Sequence, residues 1–163
     1  MSRRAFYSFH YQPDCWRAAT VRSIGSIEGN RPAEDNDWES IKKGGDAAIQ
    51  SWIDGQLFGK SCAVVLIGAN TAGRKWINYE IEKAWREKKG LLGIYIHNLK
   101  DSKGDQSSKG TNPFSSFNIG STPLSSIVQT YDPPFWDSKE VYKYITDNLA
   151  EWFDQSLAIR ARY

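Results

Sequence analysis

The chain has 163 residues, enough to bury one ordinary core without disulfide or metal staples. Its 21 basic and 19 acidic residues leave a formal charge of +2, which gives no electrostatic case for a nucleic-acid surface. No stretch approaches the about 18 apolar residues of a membrane span, and the opening MSRRAFYSFHYQPD lacks the apolar core of an export signal, so a single cytoplasmic domain is expected.

Residues 5–11, AFYSFHY, alternate well enough for a first strand, with Ala5, Tyr7, Phe9 and Tyr11 on one side and Phe6, Ser8 and His10 on the other. Pro13-Asp14 reads as a helix start, because Asp caps a helix and complements its dipole, and a helix over about 14–24 is predicted. Residues 25–43 are rich in Gly, Pro, Asn and Asp and read as a loop, with at most a short second strand around Ile24 and Ile27. From Gly44 to Leu57, Ala48, Ile49, Trp52, Ile53 and Leu57 share one helical face.

Residues 62–97 carry the most information. CAVVLIG, a polar turn at Asn70-Thr71, the amphipathic RKWINYEIEKAW and a second apolar run LLGIYIH make a βαβ unit with two fully buried parallel strands. In open α/β sheets, ligands bind beyond the carboxyl ends of strands, so a site is expected just after Gly68, with Glu80 one to two turns into the helix that follows. The 27 residues after His97 are too many for an ordinary connection. They read as a solvated loop, in which KGTNPF is placed to close over a ligand or meet a neighbouring copy. SSIVQTYDPP gives a short last strand, and Ser138 caps a final helix with Val141, Ile145, Leu149, Trp152 and Phe153 on one face. The alternation predicts an α/β, flavodoxin-like, doubly wound and mostly parallel sheet of about five strands, helices on both faces. Cys15 and Cys62 suit reduced thiols.

No GxGxxG follows a strand and there is no Walker loop. The acidic residues of a response-regulator phosphoacceptor site are also missing, since the corresponding places hold His10, Tyr11, Gly68 and Ala69.

FYSFHYQPDCWRAATVR (Phe6 to Arg22), VVLIGANTAGRKWINYEI (Val64 to Ile81) and GLLGIYIHNLKDSKGDQSSKGTNPF (Gly90 to Phe114) together resemble the TIR-like proteins of bacterial antiphage defence, the Thoeris ThsB group. The resemblance covers most of the chain and implies a single TIR-like domain over residues 1–163. It implies an enzyme that cleaves NAD between nicotinamide and ribose and makes a cyclic ADP-ribose-type signal for a separate effector protein, with NAD as substrate and no other cofactor. It also implies self-assembly into a homo-oligomer when active. The catalytic glutamate of the W-x-x-x-E stretch is then Glu80, after Trp76, with Glu82 offset to another side. Substrate-binding candidates are Phe6, Ser8, His10, Tyr11, Asp14, Arg17 and Trp76, with aromatic rings to stack on adenine or nicotinamide and Arg17 or Arg22 to meet a pyrophosphate.

The chemistry is economical. Nicotinamide leaves a cationic pyridinium as a neutral molecule, so no acid is needed and one carboxylate suffices to offset the charge developing on the ribose. The competing readings are a non-catalytic TIR-like interaction module and a domain that senses a nucleotide without cleaving it. Structural roles also compete residue by residue: a solvated helical position for Glu80, a hydrogen-bonded strand position for His10 and plain packing for Trp76.

Overall fold

The computed structural model describes residues 3–29 and 41–163. In chain order the strands are β1 (Arg4–Ser8), β2 (Glu28–Gly29), β3 (Cys62–Ile67), β4 (Gly90–Tyr95), β5 (Asn118–Ile119), β6 (Thr122–Pro123) and β7 (Thr130–Tyr131). The long helices are α1 (Tyr11–Arg22), α2 (Gly45–Leu57), α3 (Lys75–Arg86) and α4 (Ser138–Arg160). Five strands form one parallel sheet in the order β2-β1-β3-β4-β7, while β5 and β6 pair as a small antiparallel hairpin.

The sheet is built on period-two sorting of side chains in strands that are buried on both faces. Ala5 and Tyr7 of β1, Val64 and Leu66 of β3, and Leu92 and Ile94 of β4 pack with Ala18 and Val21 of α1 and with Val141, Ile145, Leu149, Trp152 and Phe153 of α4. The intervening residues face the other way. Val65 and Ile67 meet Ile77, Ile81 and Ala84 of α3, and Phe6 meets Ile49, Ile53 and Leu57 of α2. Helices therefore cover both faces, as the alternation of elements predicts.

The strand order fixes where a crevice opens. From β1 the chain passes through α1 to β2 on one side, and from β3 it passes through α3 to β4 on the other. The connections part between β1 and β3, whose register runs from Ala5 opposite Cys62 to Ser8 opposite Val65. That divergence at the carboxyl ends of two adjacent parallel strands is the topological switch point, where ligands of open α/β sheets bind.

Local boundaries differ from the sequence reading at several places. β1 stops at Ser8, and α1 begins at Tyr11 rather than 14, with His10 in extended conformation at its N-cap. Pro13 causes no break because it stands in the first turn, where a missing N–H is harmless. Asp14 is thereby moved inside the helix, where it pairs with Arg17 instead of capping. The second strand lies at Glu28–Gly29, while Ile24 and Ile27 enter the core without joining it. The final helix is capped by Asp137, whose side chain accepts from the N–H groups of Lys139 and Glu140, and Ser138 is its first helical residue. The last strand is reduced to Thr130–Tyr131. Much of the predicted loop over 25–43 lies outside the described residues.

The long connection after β4 is ordered by its own packing. Phe114 is fully buried, a short 3-10 turn spans Pro113–Ser116, and Asn112 accepts a hydrogen bond from the Phe114 N–H. Gly110 lies so close to the end of β3 that a Cβ there would sit 2.1 Å from the Gly68 carbonyl oxygen. A carbonyl of the backbone cannot step aside as a side chain can. Gly110→Ala is expected to cost about 1–3 kcal/mol, the usual range for overpacking, read as a lowered urea midpoint at unchanged slope.

Candidate active site

A cavity of about 1230 Å³ occupies the switch point. Its β1 side is formed by Phe6 and by the residues between Phe9 and Gln12, which include His10 and Tyr11. Its β3 side is formed by the turn from Ala69 through Arg74 and by Trp76, Ile77 and Glu80 of α3. Lys42 and Trp52 contribute from the α2 side, and Thr111 reaches in from the long connection.

The turn after β3 is shaped locally. Thr71 is fully buried, and its hydroxyl accepts a hydrogen bond from the Gly68 N–H at 2.8 Å. Gly73 has φ +81°, a left-handed conformation that suits glycine, and Arg74 then sits in extended conformation as the N-cap of α3. Trp76 is placed in the first turn of α3, edge-on to Tyr79 with ring centroids 5.7 Å apart, and the Lys75 ammonium lies over its ring at 5.0 Å.

Glu80 is the one acidic side chain lining the cavity among the described residues, and it is only 8% exposed. Ser8, itself buried, donates a hydrogen bond from its hydroxyl to Glu80 Oε2. The period-two geometry of β1 makes this contact, since Ser8 points to the same face as Phe6, toward the α2 and α3 side. Burial drives the Glu80 carboxyl up to about 8, and the Ser8 hydroxyl opposes that rise by favouring the charged form. Among the described residues no cation offsets the carboxylate directly. Glu82 behaves differently: it stands in solvent and pairs with Arg86 at 3.7 Å, one turn along.

The cavity combines this one buried carboxyl with aromatic rings, Phe6, Tyr11, Trp52 and Trp76, and with cations at Lys42, Arg74 and Lys75. Flat apolar surfaces suit heteroaromatic bases, cations suit a diphosphate, and a desolvated carboxyl suits positive charge.

The family profile described as "Thoeris protein ThsB, TIR-like domain" matches residues 6–101. The chain belongs to the Thoeris ThsB TIR-like family. Over 119 residues it is also 39% identical to the Bacillus cereus (strain MSX-D12) protein named "Putative cyclic ADP-D-ribose synthase ThsB1", covering 70% of this chain and 62% of that relative. The chain thus spans about three fifths of the length of the curated relative it matches. The ThsB match takes in the end of β1 and the whole of α1, β3, α3 and β4, and hence every cavity residue named above except Thr111.

Of the candidates read from the sequence, Phe6, His10, Tyr11, Trp76 and Glu80 come together at the cavity. Ser8 lies behind its wall and acts on Glu80. Asp14 and Arg17 do not line it. They are 1% and 3% exposed and form a buried pair at 2.9 Å, and Arg17 also donates to the carbonyls of Pro13, Leu99 and Asp105. Their work is to tie α1 to the connection after β4. Arg22 is likewise outside the cavity, its guanidinium lowered by burial and held beside Tyr7. Arg74, Lys42 and Trp52 were not among the candidates, whereas Thr111 lies in the KGTNPF segment that the sequence reading placed to close over a ligand. Arg74 carried a usable signal, since it follows a glycine and opens the helix beyond β3.

A carboxyl with a raised folded pKa favours folding below its unfolded value, and that contribution is lost as pH rises through the folded value. Here the loss runs from about 4.5 to about 8. Glu80→Gln is therefore expected to change melting temperature little at pH 4 and to raise it by several degrees at pH 8.5, at roughly 2–4 °C for each kcal/mol in a chain of this size. Equal shifts at both pH values by differential scanning calorimetry would show that burial does not penalise the charge.

Proposed function

We propose that this protein cleaves NAD at the bond between nicotinamide and ribose and converts the remainder into a cyclic ADP-ribose-type nucleotide. The observation that carries the proposal is Glu80, a nearly dry carboxyl facing a cavity with aromatic and cationic walls at the switch point of a ThsB-family sheet. The name of the 39% identical relative, a cyclic ADP-D-ribose synthase, points the same way.

In this reading the adenine and nicotinamide rings pack against Phe6, Tyr11, Trp52 and Trp76, and Arg74 and Lys42 meet the pyrophosphate. Glu80 in its charged form faces the ribose bearing nicotinamide. As the bond to nitrogen lengthens, positive charge moves from the pyridinium ring onto the ribose, and the carboxylate, held without a competing cation, stabilises it. A site closed to water favours capture of the ribosyl carbon by a group within the folded nucleotide over hydrolysis. Ser8 is a positioning residue that keeps Glu80 oriented and partly charged. In the same reading the protein assembles with itself when active, and a separate effector protein reads the nucleotide in antiphage defence.

The test is chromatography of purified protein incubated with NAD at high protein concentration. Wild type is expected to release nicotinamide with a second, cyclic nucleotide peak, and Glu80→Gln is expected to lower release by at least about 10³-fold. A Glu80→Gln protein as active as wild type would sink the assignment. A stable, uncleaved NAD complex of wild type would favour the sensing reading.

The pH profile adds a second check. Because kcat/KM reports the free enzyme, it is expected to rise from pH 6 to 8.5 as Glu80 ionises through about 8. Ser8→Ala removes the hydroxyl that favours the charge, so the rise is expected to move to higher pH. A profile unmoved in Ser8→Ala would separate the serine from the working carboxylate.

A further inference from the structure

Along the seam between α2 and α3, three donors of α3 reach two carboxylates of α2. Lys75, Tyr79 and Lys83 are spaced four apart and so form one stripe of α3. Tyr79 donates from its hydroxyl to Asp54 Oδ1 at 2.7 Å, and the Lys83 ammonium stands 3.3 Å from the same oxygen. Two turns earlier on α2, Asp46 accepts from the Lys75 ammonium. The two ends of the seam differ in their surroundings. The Lys83 side chain is 20% exposed, whereas those of Lys75 and Asp46 are 66% and 64% exposed. A pair so solvated contributes little, so the seam is fixed at Asp54 and easily parted at Asp46.

The loose end is the one at the cavity. Lys75 lines it and Asp46 does not, while Trp52 of α2 and Trp76 of α3 supply walls from the two helices. Lys75 is thus a cavity residue whose charge is held by a carboxylate outside the cavity. Arg74, beside it in the chain, lines the same cavity and has no ion pair among the described residues.

We propose that Lys75 is a diphosphate-binding residue held in reserve by Asp46, and that the phosphates of a dinucleotide take its ammonium from that carboxylate. The proposal rests on the nucleotide reading above. A lysine suits such an exchange, because its flexible stem lets the ammonium swing while the helix stays in place. The Trp76 ring, whose centre is 5.0 Å from the ammonium, gives the cation a favourable surface that does not depend on Asp46. Asp46 loses little when it is left alone. It stays in solvent in the first turn of α2, where a negative charge complements the helix dipole. The ammonium gains a multiply charged partner in less solvated surroundings, with Arg74 alongside. A ligand with no anionic group has nothing to offer in exchange, so the pair selects for phosphates over a bare nucleoside. Lys75 touches the ligand in this scheme, and Asp46 acts only through Lys75.

Calorimetric titration of the purified chain with ADP and with adenosine tests the exchange without any turnover. The titrations are run at about 0.15 M salt, where charges more than about 8 Å apart are largely screened. Asp46→Asn is expected to tighten ADP about threefold, because the competitor is gone, and Lys75→Met to weaken it about fivefold. In the Lys75→Met background, Asp46→Asn is expected to change nothing, and adenosine is expected not to distinguish any of the four proteins. Weaker ADP binding by Asp46→Asn would mean that the pair only holds the helices together, and it overturns the proposal. Tightening that persists without Lys75 would be plain repulsion by Asp46, and equal tightening of adenosine would be a change of cavity shape. Either result overturns the exchange, as does a wild type that binds no ADP. The expected ADP pattern from a protein that releases no nicotinamide from NAD leaves the exchange standing and removes the cleavage reading alone.

Discussion

The buried guanidinium of Arg17 is the contact on which the ligand end of this molecule depends. Its donors reach Pro13 and Asp14 within α1, Leu99 just past the fourth strand and Asp105 farther along the connection. A helix start and a long connection, separated by more than 80 residues, are thereby held to one point. The ion pair has Asp14 as its anchor, and Asp14 in turn requires a glycine at 68. Gly68 begins the turn whose later residues line the cavity, and its carbonyl packs against Gly110, next to Thr111 in the cavity wall. Breaking a buried pair by removing one partner costs about 3–5 kcal/mol because a charge is left alone. The site is thus stabilised from behind by polar contacts that never meet a ligand.

That arrangement is what the family resemblance did not reveal. Asp14 and Arg17 became candidates through that resemblance, and in the structure neither lines the cavity. Spacing reports proximity along a helix and not which way the helix is turned, so a buried structural pair and a pyrophosphate clamp look alike. The starting point of α1 decided it. With the helix beginning at Tyr11, positions 14 and 17 rotate inward under the connection after β4, leaving His10 and Tyr11 at the cavity.

The sheet, by contrast, was almost fully legible, because CAVVLIG and LLGIYIH allow only doubly buried parallel strands and the helix between them has strong periodicity. Glu80 was legible for the same reason: its place after the third strand follows from the βαβ unit. What remained hidden depended on long-range packing. Lys42 and Trp52 lie far from both strand ends in sequence and reach the cavity only because α2 packs over Phe6. Thr111 lies in KGTNPF, whose nearness to a ligand was legible, but the order of its Ser-, Gly- and Lys-rich segment was not: that rests on buried Phe114 and on a glycine fitted against a carbonyl. Composition reads such a segment as solvated, whereas one aromatic anchor is enough to dock it.

The two carboxyls at this end of the sheet show how one fold separates roles by surroundings. Both are buried, and burial pushes both upward. Asp14 has a guanidinium at 2.9 Å and faces the interior, so its charge is compensated before any ligand arrives. Glu80 has a serine hydroxyl and faces a cavity, so its charge is left for a cation to claim. A compensated carboxylate has little to give a developing positive charge, since its field is already cancelled at short range. An uncompensated one interacts strongly with such a charge across a poorly solvated gap. Keeping Glu80 unpaired costs stability, and a positive charge arriving in the cavity would recover part of that cost, so a carboxyl left free to meet a cation is also one whose burial weakens the fold as pH rises from about 4.5 to about 8.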